Sequence, residues 1–108
     1  MDFGLNTVQI ATLREIFERY ADVRQVVIYG SRAKGNYTNR SDIDFAITES
    51  KVDRHLIARI LIDIDQSDFP FQVDLQDYSH IKNSSLREHI ERVGKLFYQA
   101  ESIASLKL

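Results

Sequence analysis

Cysteine is absent from these 108 residues, which together excludes a disulfide scaffold, a thiolate zinc site and a cysteine nucleophile. A reducing, cytoplasmic home is the default for such a chain. No apolar run approaches the roughly 18 residues of a membrane span. Met1-Asp2-Phe3-Gly4 also lacks the basic-then-apolar layout of a signal peptide, so no membrane is expected. A basic surplus is missing as well: 14 Lys and Arg stand against 16 Asp and Glu, a formal charge of −2. Proteins that live by nonspecific polynucleotide binding carry excess positive charge, so nucleic acid is not expected as the main partner. One proline (Pro70) and four glycines (Gly4, Gly30, Gly35, Gly94) are too few to cut the chain into modules. With no repeat or low-complexity run, a single domain over residues 1–108 is expected.

What is present is ordinary globular material, 44% hydrophobic and 28% charged, enough for one core without metal or disulfide staples. From Asn6 to Tyr20 the residues Val8, Leu13, Ile16, Phe17 and Tyr20 recur at helical spacing, with Asn6 and Gln9 placed as a capping pair. Gln25-Val26-Val27-Ile28-Tyr29 is β-branched and aromatic and stops at Gly30, the pattern of a buried strand. Ser31 to Lys34 can open a short helix, and Ile43 to Ile47 reads as a second strand. Asp53 can cap a helix to about Asp65 that carries Leu56, Ile57, Ile60, Leu61 and Ile64 on one stripe. Phe71 to Leu75 alternates apolar and polar as a third strand. Ser85 with Glu88 forms a capping box for a last helix that buries Leu86, Ile90 and Val93 and stops at Gly94. Lys95 to Tyr98 completes the pattern as a short edge strand. The expected class is α/β, a small sheet with helices packed on it.

Three features that carry chemistry sit at strand ends. Gly30-Ser31-Arg32-Ala33-Lys34-Gly35 follows a strand directly. Glycine lets backbone approach a ligand, and amides at a helix start attract phosphate. Ser31 adds a hydroxyl, and Arg32 and Lys34 add positive charge. A glycine turn is also common structural punctuation, so this loop decides nothing alone. The second feature is Ser41-Asp42-Ile43-Asp44. Residues two apart on a strand share a face, their α-carbons about 6.5–7 Å apart, so the two carboxylates can share divalent cations. A turn role explains Asp42 equally well; it explains Asp44 poorly, inside the apolar stretch from Ile43 to Ile47. The third is Asp74 between Val73 and Leu75, an acid that must face solvent, pair with a base or serve a metal. Three carboxylates on two strands beside a phosphate-suited loop suit magnesium, which takes oxygen ligands, and a pair of such ions suits phosphoryl transfer.

Gly30-Ser31, ten residues, then Asp42-Ile43-Asp44, with Asp74 on a later strand, resembles the polymerase-beta-type nucleotidyltransferase superfamily. The fuller string Gly-Ser-Arg-Ala-Lys-Gly, five residues, then Ser-Asp-Ile-Asp-Phe is similar to its small bacterial and archaeal branch, the minimal nucleotidyltransferases. The likeness is densest from Val26 to Ile47 and covers most of the chain. It implies the nucleotidyltransferase fold with a mixed sheet. It further implies that Gly30 and Ser31 hold the triphosphate of ATP or another nucleoside triphosphate, with Arg32 and Lys34 assisting. Asp42 and Asp44 would ligate two magnesium ions. Asp74 would ligate the acceptor-side ion and help deprotonate the acceptor hydroxyl, which attacks the α-phosphate and releases pyrophosphate. In this branch the acceptor-gripping part is often a separate helical protein of the HEPN or substrate-binding type, in some pairs a toxin adenylylated on tyrosine. The rival implication is a nucleotide-binding antitoxin that acts on its partner by occlusion with little or no catalysis. A weaker rival is transfer to a small molecule such as an aminoglycoside. Self-association is left open.

Other residues take plainer readings. Asp63-Ile64-Asp65 repeats the Asp-x-Asp spacing on a helix, where residues two apart do not share a face, and reads as solvated surface. His55, His80 and His89 are too scattered for a ligand set, Tyr29 reads as core and Tyr37 as loop packing. Phe69, Phe71, Phe97 and Tyr98 read as core and edge packing, with an exposed aromatic interface as the alternative. The tail from 102 to 108 carries no readable chemistry.

Overall fold

Alternation along Gln25–Tyr29 (β1) sends Val26 and Ile28 to one face of a sheet and Val27 and Tyr29 to the other. In the computed structural model, which describes residues 2–50 and 52–101, β1 is a central strand of four. It pairs antiparallel with Ile43–Thr48 (β2) on one side and Lys95–Gln99 (β4) on the other, and β2 pairs parallel with Val73–Asp77 (β3). The sheet order β3-β2-β1-β4 is therefore mixed, as expected. A parallel pair needs a crossover, and Arg54–Asp65 (α3) supplies it between β2 and β3.

One sheet face is fully covered. Thr7–Glu18 (α1) and α3 place Leu13, Ile16, Phe17 and Ile60 against Val26, Ile28, Ile43, Phe45 and Ile47, all buried. Phe17 packs edge-to-face on Phe45 at 5.3 Å between ring centres, and burying each such large apolar side chain is worth about 1.5–3 kcal/mol. Phe97 and Tyr98 belong to this core, and Phe69 and Phe71 pack against it half-buried, so the aromatic residues late in the chain are packing. Val8, placed on the buried stripe from its spacing, is 73% exposed. The other sheet face carries Ser84–Val93 (α4) over Tyr29, Ala46 and Val27.

The caps on Asn6 and Asp53 form as the sequence suggests. The Asn6 side chain accepts from Gln9 N at 2.8 Å and Gln9 returns the bond, while Asp53 accepts from Leu56 N. The last helix departs from expectation. It starts at Ser84, its cap is Asn83, whose side chain accepts from Leu86 N, and Ser85 lies inside its first turn. Glu88 instead pairs with Arg92 one turn on, at 2.8 Å. Gly94 does stop α4, in extended rather than left-handed backbone; a Cβ there would sit 2.3 Å from the Ile90 carbonyl oxygen. The third strand runs from Val73 to Asp77, not from Phe71 to Leu75, because Phe71 turns aside to pack on Arg32. Asp63 is part-buried rather than simply solvated: it accepts from the Tyr20 hydroxyl and lies 3.6 Å from Arg19. No described helix is long and apolar enough to cross a membrane. The tail from 102 to 108 lies outside the described residues.

Candidate active site

The mixed pairing lines up three side chains across three strands. Tyr29 is the register partner of Asp44 across the β1–β2 pair, and Asp44 is the register partner of Asp74 across the β2–β3 pair. Neighbouring strands lie about 4.8 Å apart, so Tyr29, Asp44 and Asp74 form one row on the face that α4 covers. Tyr29 is buried, Asp44 half-buried and Asp74 exposed. The Gln76 amide donates to the Asp74 carboxylate at 3.2 Å.

Gly30–Lys34 (α2) begins at the residue after Tyr29. Gly30 adopts φ 73, and a Cβ built on it would lie 2.3 Å from Asp44 Oδ2. Only a residue without a side chain lets the loop backbone come this close to the carboxylate. The glycine turn and the acids therefore meet at one spot. No side chain caps the start of α2, and Ser31 is half-buried there. Gly35, at φ 90, closes the helix with open space around it. Lys34 is exposed on its last turn.

Electrostatics reflect the crowding. Burial pushes the Asp44 carboxyl above its ordinary value, and the Asp74 and Asp42 charges push it further, against a smaller opposing pull from His89. Burial also raises the Tyr29 hydroxyl, followed by the charges of Asp74 and Asp44. The His89 ring packs edge-to-face on Tyr29, 6.0 Å between centres. Neither Tyr29 nor His89 was marked as a site residue from the sequence. For Tyr29 the available signal was register: its position facing Asp44 follows once the first two strands are antiparallel. For His89 it was the spacing of three from Leu86, which puts it on the packed face of α4.

Asp42 is exposed, just before β2. As the side chains stand, no group of three Asp, Glu or His residues among the described residues is arranged to hold a metal ion. The three expected acids thus resolve into a facing pair, Asp44 and Asp74, with Asp42 within electrostatic reach. The donor set nonetheless fits a hard divalent cation: it is all carboxylate oxygen, and a half-buried acid raised by two like charges is the condition a cation relieves. Concavities of about 590 and 570 Å³ lie along β4 and beneath Phe69–Val73. Neither is lined by these acids.

Arg32, expected beside the triphosphate, turns inward. It is 1% exposed, and its Nε and Nη2 donate to the Ser41 carbonyl while Nη1 donates to the Phe3 carbonyl. Tyr37 packs on it, in keeping with a loop-packing role.

Comparisons with known proteins bear on the family and the fold. Residues 11–103 match the family model described as polymerase beta, nucleotidyltransferase. A probable protein adenylyltransferase, MntA, of Haemophilus influenzae is 29% identical over 98 residues, covering 90% of this chain and 85% of that protein. A crystal structure of a toxin–antitoxin with AMP-PNP superposes with a TM-score of 0.67 at 21% identity, over 94% of this chain and 80% of that one. A mutant of the toxin–antitoxin MntA-HpeT does so with 0.64 at 18% identity and the same coverage. At these identities the two structures speak for the fold.

Proposed function

The chain belongs to the polymerase beta nucleotidyltransferase family, as a minimal nucleotidyltransferase, and we propose that it transfers AMP from ATP to a hydroxyl of a separate helical partner protein. The observation that carries this reading is the approach of Gly30 to the Asp44 carboxylate, which joins the loop suited to phosphate to the paired acids. The name of the Haemophilus influenzae relative supports a protein as acceptor, and AMP-PNP in the toxin–antitoxin structure supports an adenine nucleotide. A HEPN-type toxin with an acceptor tyrosine is the partner this reading favours, met in the cytoplasm.

In this scheme the Gly30 and Ser31 backbone and the Ser31 hydroxyl bind the triphosphate, and exposed Lys34 adds positive charge. Asp42, Asp44 and Asp74 would hold two Mg²⁺ ions, which when bound neutralise charge on the phosphates and lower the pKa of the acceptor hydroxyl. Asp74, the exposed end of the row, faces the incoming acceptor and takes its hydroxyl proton. The acceptor oxygen bonds to the α-phosphorus as the bond to the α–β bridging oxygen breaks, and pyrophosphate leaves with that oxygen. The chain supplies positioning and preorganised charge.

The test is α-labelled ATP with Mg²⁺ and a helical HEPN-type partner protein, if the gene beside this one encodes one. Label on the partner that disappears in Asp74→Ala while the complex persists is the expected result. Inhibition of the partner that survives Asp42→Ala and Asp44→Ala, with no label transferred, would instead identify an antitoxin that works by occlusion.

A further inference from the structure

Arg32 joins parts of the chain that are distant in sequence. Its Nε and Nη2 grip one carbonyl, that of Ser41, at 3.0 and 2.9 Å, and Nη1 reaches the Phe3 carbonyl at 2.9 Å. The guanidinium carbon lies over the Phe71 ring at 4.6 Å and over the Tyr37 ring at 5.2 Å. Gly4, at φ 76, seals the arrangement: a Cβ there would lie 2.4 Å from Tyr37 and 2.9 Å from Arg32 Nη1. A buried guanidinium is unfavourable unless its donors are satisfied, and here backbone oxygens take one bond from each of its three nitrogens. Ser41 is itself fixed from the other side, since its amide donates to the Thr38 carbonyl and its hydroxyl accepts from the Thr38 amide.

We propose that Arg32 is a positioning residue for the acids: it struts the Gly30–Ser31 turn against Ser41, and so sets Asp42 beside Asp44, without touching the nucleotide. The strut spans the loop from two residues after Gly30 to one residue before Asp42. Lysine cannot replace it, because one ammonium neither grips a carbonyl with a planar fork nor stacks over two rings in the same way. Burial lowers the Arg32 pKa, opposed first by Tyr37 and then by the Asp42 charge. This inference rests on reading Asp42, Asp44 and Asp74 as divalent-ion ligands.

Two affinities separate a strut from a phosphate ligand: that for ATP in excess EDTA, and the gain on adding Mn²⁺. Arg32→Lys should keep the metal-free affinity within about twofold and lose about tenfold of the Mn²⁺-dependent gain, the scale of a lost charge-assisted hydrogen bond. A metal-free affinity that falls by about tenfold would make Arg32 a phosphate ligand and overturn the inference, as would no change in either quantity. Asp44→Asn is measured alongside. An undiminished Mn²⁺ gain in Asp44→Asn defeats the reading of the site, whereas a loss there with none in Arg32→Lys defeats the strut alone. Should Arg32→Lys not fold, the Arg32 Nε–H resonance of the ¹⁵N-labelled parent decides. It should hold its shift with ATP in EDTA and move when Mg²⁺ is added with it; movement with metal-free ATP, or none in either case, overturns the proposal.

Discussion

Asp44 and Asp74 face one another across the parallel pairing of β2 and β3, one half-buried and one exposed, with Gly30 closing on the buried one. Two carboxylates at neighbouring strand positions destabilise a sheet unless something positive joins them. The row therefore opposes stability in the metal-free protein and favours cation binding, and the predictions below separate these effects.

Replacing Asp44 should stabilise the empty protein. Its folded pKa lies above the ordinary 3.8, through burial first and then Asp74 and Asp42. Its contribution to stability is thus fully present below the unfolded value and is lost as pH rises through the folded one. Thermal melts without metal should show Asp44→Asn equal to or a few degrees above the parent at pH 7, with the difference shrinking toward pH 3.8. A melting temperature that falls at pH 7 would show that Asp44 supports the fold.

The two loop glycines should behave differently. Gly30→Ala meets both a positive φ, worth about 1–2 kcal/mol, and a Cβ 2.3 Å from Asp44 Oδ2 that displaces the carboxylate. Gly35→Ala meets only the φ of 90, with nothing within 4 Å. By urea titration Gly30→Ala should lose more stability than Gly35→Ala, which meets the positive φ alone. Only Gly30→Ala should lose divalent-dependent nucleotide affinity, by about tenfold or more.

Tyr29→Phe keeps the ring packed on His89 and removes the hydroxyl. The Tyr29 pKa is raised in the fold, so its share of stability holds below 10.0 and is lost as pH climbs above that value. Denaturant titrations above pH 10 should show a shallower fall of stability in the variant than in the parent. Parallel curves would mean that the fold does not raise the Tyr29 hydroxyl.

Helix capping distinguishes two neighbours. Asn83→Ala should lower stability by about 1 kcal/mol, because Asn83 accepts from Leu86 N. Ser85→Ala should change it by less than about 0.5 kcal/mol. The reverse order in urea midpoints would restore Ser85 as the cap.

Most of the architecture was legible because it rests on local pattern. The caps on Asn6 and Asp53, the β-branched run ending at Gly30 and the stripe on α3 all mark elements that form. The start of α4 differs because Ser85 and Glu88 carry a capping-box spacing, whereas in the structure the Asn83 side chain takes the Leu86 amide. Asp44 and Asp74 stood out because acids interrupt apolar strands, Asp42 through its spacing of two from Asp44, and register explains the meeting of Asp44 with Asp74. Arg32, which the resemblance sets at the triphosphate, has partners in the structure that a cation in a glycine loop does not suggest. Its true partners, the carbonyls of Phe3 and Ser41, are backbone groups that no side-chain pattern reveals.

The most direct measurement is Mn²⁺ binding in the presence of a non-hydrolysable ATP analogue, followed by water proton relaxation for the parent, Asp44→Asn, Asp74→Asn and the remote control Asp65→Asn. The account predicts bound Mn²⁺ in the parent and in Asp65→Asn, with affinity down about tenfold or more in each of the other two. Equal Mn²⁺ affinity in all four proteins would contradict it.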